Sequence, residues 1–214
     1  MASAREIRDI EASTPHIPTT SRGRRTRAQL IEGARTAFEK NGYLETRVVD
    51  IAAEADVAYG TFYTYFSSHE EIFQEVVDAL LADFQEIARA EPFTGTSPAA
   101  RIERSNRGYL RAYRKNARMM AVLEQAATFS DTLRDVRRDN RSYWVERSQK
   151  AISRWQEQGL IDDSVDPYYA ATSLGAMVNR SAYIWLVLGE PYDEDLAVEH
   201  LTRLYTRALG LATD

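Results

Sequence analysis

Residues 46–71 read TRVVDIAAEADVAYGTFYTYFSSHEE, and their spacing predicts two short helices joined by a tight turn and running into a third. In the first, Thr46 to Ala55, the apolar residues Val48, Ile51, Ala52 and Ala55 recur every three or four positions along one helical face, with Thr46 placed as N-cap. Asp56-Val57-Ala58 then breaks the pattern: Asp tolerates the left-handed backbone of a tight turn, and Val57 plugs the angle between two crossing helices. The second helix, Tyr59 to Tyr65, puts Phe62 and Phe66 on one side and leaves Tyr59, Gly60, Thr61, Tyr63 and Tyr65 on the others. A glycine costs about 1 kcal/mol in a helix interior, so Gly60 is best explained where another backbone comes close, and a phosphate strand is such a backbone. Ser67-Ser68-His69-Glu70-Glu71 offers a capping box in two registers, Ser67 with Glu70 or Ser68 with Glu71. A third helix starts there, its positive end toward the same phosphates.

On these residues, IAAEADVAYGTFYTYFSSHEEIF resembles the helix-turn-helix signature of the TetR family of transcriptional regulators. The family usually has Gly where this chain has Asp56, Ser or Thr at Ala58, and at His69 a Lys that touches a phosphate. The resemblance implies a DNA-binding, ligand-responsive repressor that is homodimeric and is released from a palindromic operator by a small apolar effector. On this reading the DNA-facing set is Arg24, Arg25, Arg27, Thr46, Arg47, Ala58, Tyr59, Gly60, Thr61, Tyr63, Tyr65 and His69. With an ordinary pKa near 6.5, His69 is expected to be mostly neutral at pH 7 and to gain a phosphate contact on acidification. The bland alternative is a compact helical core with exposed tyrosines.

The length of 214 residues suits one small domain plus a larger one. A net charge of −5 alone argues against a nucleic-acid binder, but residues 1–69 carry nine Arg or Lys against nine Asp or Glu, so the remainder, with 18 against 23, holds all the excess. Arg22, Arg24, Arg25 and Arg27 crowd the positions just before the first predicted helix. They read either as a solvated terminus or as an arm following the DNA backbone. There is no cysteine, no stretch apolar enough to span a bilayer and no signal-peptide pattern, so a soluble, cytoplasmic protein without a cofactor or membrane partner is expected.

The predicted organisation is all-α: a flexible N-terminal arm over 1–22, a three-helix head with the helix-turn-helix over 23–69, and a larger helical ligand-binding and dimerisation domain over 70–214. In the head, Leu30, Ile31, Ala34 and Phe38 form one face of a helix from Thr26 to Lys40, and Asn41-Gly42 stops it. A long apolar stripe from Ile72 to Phe84 joins head to body in a helix from His69 to about Ala90. Glu91 to Pro98 is a break, followed by helices predicted over 98–114, 117–128, 131–158, 167–188 and 194–211.

The body is rich in aromatic residues and sets the amides Gln125 and Asn179 inside apolar stripes. Each such residue alone is ordinary packing at least as often as a site, and each amide is equally well explained by a helix-to-helix hydrogen bond. Together with the effector cavity that the resemblance implies, they suggest a pocket near Tyr109, Met120, Gln125, Phe129, Trp144, Asn179 and Tyr183. Ser181, Ile184, Trp185 and Leu188 on one terminal helix, and Leu201, Leu204, Tyr205 and Ala208 on the other, read as an apolar hairpin that meets its two-fold mate or is buried within one chain. Dimerisation also follows from the short recognition helix, which reads too few base pairs alone. An enzyme is not expected, since His16, His69 and His200 are scattered and no nucleophile or phosphate-cradling motif occurs. A DNA-binding dimer without an effector and an all-α protein with an enzymatic cavity are the competing readings.

Overall fold

The computed structural model describes residues 18–90 and 97–211, and every regular element within them is an α-helix. In order these are α1 Ser21–Asn41, α2 Val48–Glu54, α3 Tyr59–Tyr65, α4 His69–Ala90, α5 Pro98–Ala126, α6 Asp131–Glu157, α7 Pro167–Leu186 and α8 Glu194–Ala208. Two compact units divide between Ala79 and Leu80, inside α4. Most of the predicted arm, residues 1–17, and most of the break after α4 lie outside the described residues.

In the first unit, α1 starts five residues before the predicted Thr26, because the Thr20 hydroxyl accepts from the Gly23 N–H at 3.1 Å and caps the helix there. The arginine cluster therefore occupies the first two turns of α1 and does not precede it. The helix ends at Gly42, whose positive φ of 80° lets its N–H reach the Phe38 carbonyl. Leu30, Ala34, Phe38, Ile51, Phe62, Phe66 and Phe73 make one buried core shared by all four helices of the unit. Gly33 allows α1 its closest approach to α2: a Cβ there would stand 2.6 Å from the Ala55 nitrogen. Asp56 takes the left-handed turn with φ 52°, as the sequence requires. The box at the start of α4 uses the second register, Ser68 accepting from the Glu71 N–H at 3.1 Å, while the Glu71 carboxylate reaches back to the Ser67 N–H.

In the second unit, α5 is one helix of 29 residues where two were predicted. Lys115-Asn116 contains neither Gly nor Pro, and the buried Asn116 amide satisfies itself on the Ala112 carbonyl at 3.1 Å and on Asp83 at 3.3 Å. The unit packs around α5, which meets α7 and α8, while α6 lies along α7. Gly108 brings α5 against the second half of α4, where a Cβ would sit 2.6 Å from the Ala88 carbonyl oxygen. The terminal helices are not the expected hairpin: α8 lies mainly on α5, and α7 on α6 and α5. Both are capped by aspartates, Asp166 accepting from two backbone N–H groups and Asp193 from one.

Candidate functional site

The exposed face of α3 carries most of what the sequence assigned to it. Tyr59 and Tyr63 are 54% and 41% exposed, and their hydroxyls lie 3.0 Å apart with the rings edge to face. They stand one turn apart on one face, beside Phe62, which is fully buried and meets the Tyr63 ring edge to face with centroids 5.2 Å apart. Nothing lies within 4 Å of where a Gly60 Cβ would be, so the protein itself does not require glycine there. Thr61 and Tyr65 are half-buried, and the exposed Ala58 caps α3 with its carbonyl alone, accepting from the Thr61 N–H at 2.8 Å. Arg24 and Arg25 are exposed on the first turns of α1, Arg24 holding the Thr19 carbonyl at 2.6 Å.

Three residues of the expected DNA-facing set are turned elsewhere. Thr46 is buried and donates its hydroxyl to the carbonyls of Ala37 and Gly42, leaving Arg47 as the N-cap of α2. Arg47 itself is exposed and paired with Asp50 at 3.3 Å. Arg27 is engaged inside the unit, on Glu75 at 2.7 Å and over the Phe66 ring at 5.0 Å. His69 packs its ring against Phe38 and Tyr43, with Nε2 buried and without a partner. An aromatic ring at this position joins the core, where a lysine would extend outward.

Burial holds the His69 imidazole below its usual pKa, with a hydrogen bond to the Tyr43 backbone and the Glu70 charge opposing only in part. This lowering and the inward packing of the ring both oppose the expected gain of a phosphate contact on mild acidification. The unfolded chain takes up the proton first as pH falls, so the contribution of the neutral His69 to stability is complete above about pH 6.5 and is lost as pH drops toward the depressed folded value. His69→Phe keeps the ring packing and removes the titration. Urea denaturation at about pH 7.5 and 5.5 should show a smaller loss on acidification in the variant than in the wild type, and equal losses would remove His69 as the cause.

The second unit contains a cavity of about 1060 Å³. Tyr109, Met120, Trp144 and Asn179 line it as expected, with Phe84 and Trp155 among the residues that the sequence reading missed. Phe84, Tyr109 and Trp144 meet edge to face, with centroids 5.1 to 6.1 Å apart. The Asn179 amide donates to the Tyr109 hydroxyl at 2.7 Å. Burial pushes that phenol up to about 12, so it keeps its proton and can donate onward. Trp144 Nε1 is buried and has no acceptor. Gln125 is exposed on α5, and Phe129, in the turn after it, is 63% exposed, so neither lines the cavity. Tyr183 lies under the Arg180 guanidinium at 4.7 Å and also stands outside it.

Of the expected dimer contacts, Leu188, Leu204 and Ala208 are exposed, and Leu196, which was missed, joins them. Ser181, Ile184 and Trp185 are half-buried, with Trp185 stacked on Tyr192 at 5.4 Å. Leu201 and Tyr205 are buried within their own unit, and Tyr205 lines the cavity, so neither offers a surface. The period of α8 places them on the side opposite Leu196, with Leu204 at the edge between. Among the described residues no helix is long and apolar enough to cross a membrane.

The family model described as bacterial regulatory proteins, tetR family, matches residues 30–76, the span from α1 to the first turns of α4. Over 185 residues the chain is 27% identical to the HTH-type transcriptional regulator TtgR of Pseudomonas putida, covering 82% of this chain and 87% of that protein. It is 23% identical over 184 residues to the HTH-type transcriptional regulator EthR of Mycolicibacterium smegmatis, covering 80% and 83%. The fold superposes on a solved transcriptional regulator from Rhodococcus sp. Rha1 with a TM-score of 0.72 at 18% identity, over 87% of this chain and 99% of that one. The helix-turn-helix geometry and the family match that falls on it make residues 30–76 a DNA-binding segment of the tetR type, and the relatives aligned along most of the chain are transcriptional regulators.

Proposed function

We propose that the protein is a homodimeric repressor whose α3 faces a palindromic operator and whose cavity takes a largely apolar effector that loosens the head from DNA. The observation that carries the effector is the cavity itself: a well-packed helical scaffold has few voids larger than a water molecule, and this one is of ligand size, with an aromatic wall. The exposed Leu188, Leu196 and Leu204 supply apolar area for a second copy, and two recognition helices held one DNA turn apart are what a palindrome demands. The helix α4 belongs to both units, the head through Ile72 and Phe73 and the body through Phe84 and Ala88, and so is the natural carrier of coupling. A coupling of about 1 to 3 kcal/mol is enough to lower operator affinity by roughly 5- to 150-fold.

The test starts from a duplex selected out of a random library by the full chain. Apolar compounds are titrated while Trp144 emission and the anisotropy of the labelled duplex are followed together. A compound that quenches the tryptophan should weaken DNA binding, and the selected duplex should weaken that compound's binding by the same factor. Quenching with unchanged DNA affinity, for every compound that binds, would leave a DNA-binding dimer that senses nothing.

A further inference from the structure

The cavity's polar chemistry is one-sided. Ten cationic side chains line it against two carboxylates, in a chain whose net charge is −5. Of the two carboxylates, Glu124 is held by Arg137 at 2.6 Å and Glu146 stands 3.8 Å from Lys150. Some of the other cations are neutralised from outside the cavity, Arg134 by Asp131 and Arg138 by Asp135. Arg141 and Arg147, both exposed, are not: among the described residues neither has a carboxylate partner.

Their places on α6 are informative. At 3.6 residues per turn, Trp144 and Trp155 fall within about 20° of one another, and Arg141 and Arg147 stand about 60° to either side of Trp144. The helix thus presents an indole flanked by two guanidinium groups, and all three residues line the same space. The neutral groups there are biased in the same direction. Trp144 Nε1 is a buried donor without an acceptor, and the Tyr109 hydroxyl, already accepting from Asn179, has its own proton to give. A buried donor left unmet is costly, so the wall is completed by a ligand that brings oxygen acceptors.

We infer that the effector is an anionic amphiphile: an apolar body against Tyr109, Trp144 and Phe84, and a carboxylate, sulfonate or phosphate head taken by Arg141 and Arg147, with Trp144 Nε1 as a further donor. This rests on the effector reading above and names the chemical class that reading leaves open. Arginine suits the role because its planar fork meets two oxygens of such a head at once.

Three ligands with the same ten-carbon chain separate the possibilities: decanoate, decanol and decyltrimethylammonium. Each is titrated into the full chain, with tryptophan emission and calorimetry as readouts, alongside the double variant Arg141→Gln/Arg147→Gln, whose melting curve is recorded first. Wild type should bind decanoate about tenfold or more tightly than decanol, the worth of one charge-assisted hydrogen bond, and decyltrimethylammonium most weakly. In the variant the decanoate advantage should shrink while decanol affinity is unchanged, and high salt should shrink it in the wild type. Equal binding of decanoate and decanol, or preference for the ammonium, would overturn the anionic head while leaving an effector cavity in place. An advantage for decanoate that the variant retains in full would also overturn the assignment. Failure of all three to bind would remove both the amphiphile and the effector reading.

Discussion

Phe62→Ala should destabilise the DNA-binding unit by about 3 to 5 kcal/mol, the cost of truncating a core aromatic, whereas Tyr63→Ala, one residue on, should leave it folded. Phe62 is fully buried and meets Phe66 with ring centroids 5.8 Å apart, while the Tyr63 ring touches Tyr59 on the open side of α3. Hydrogen exchange on the full chain distinguishes the two. Amides from Leu30 to Phe66 should lose protection in the first variant and keep it in the second. A head that melts with Tyr63→Ala and survives Phe62→Ala would mean that α3 is turned the other way about its axis.

Gly33→Val should be nearly as damaging, at about 3 kcal/mol, the upper end for overpacking. A Cβ at position 33 would lie 2.6 Å from the Ala55 nitrogen and 2.8 Å from its Cα, and backbone atoms at the end of α2 cannot rotate out of the way as a side-chain tip can. The helix α1 must then lift off the turn that sets the angle between α2 and α3. Chemical denaturation of the full chain should show the early transition shifted to lower denaturant. If the variant's transition coincides with that of the wild type, α1 and α2 are not packed at this closeness.

The division between what the residues announce and what they conceal follows from the range of the forces involved. Phe62, Phe66 and the Asp56 turn were legible because spacing and left-handed tolerance are local properties. The direction of a side chain at a helix start is not local. His69 and Thr46 were assigned to DNA by position, yet Phe38 and Tyr43 for the one, and the carbonyls of Ala37 and Gly42 for the other, draw them inward. In the body, Tyr109, Trp144 and Asn179 were found because a polar group in an aromatic stripe is conspicuous. Gln125 and Phe129 failed the same test because Gln125 sits on the outward side of α5 and Phe129 in the turn after it. Read as one continuous helix, Ile102, Tyr109 and Leu123 fall at multiples of seven on the wall that faces the cavity, and Gln125 falls off it. The cationic side of the cavity was legible in the composition of α6, but only packing could say that those arginines and the tryptophans share one space.

Gly60→Ala tests the claim that the open face of α3 meets DNA most directly, since it separates the fold's requirement from the ligand's. Nothing in the protein lies within 4 Å of the added methyl, and alanine is favoured over glycine in a helix, so the variant should be more stable by about 0.5 to 1 kcal/mol. If a phosphate strand passes at Gly60, the same methyl should cost affinity. Anisotropy titration of the selected duplex with wild type and Gly60→Ala, each checked for its melting temperature, decides the matter: a higher melting temperature with binding weakened by about tenfold is the predicted result. A higher melting temperature with unchanged affinity would contradict it.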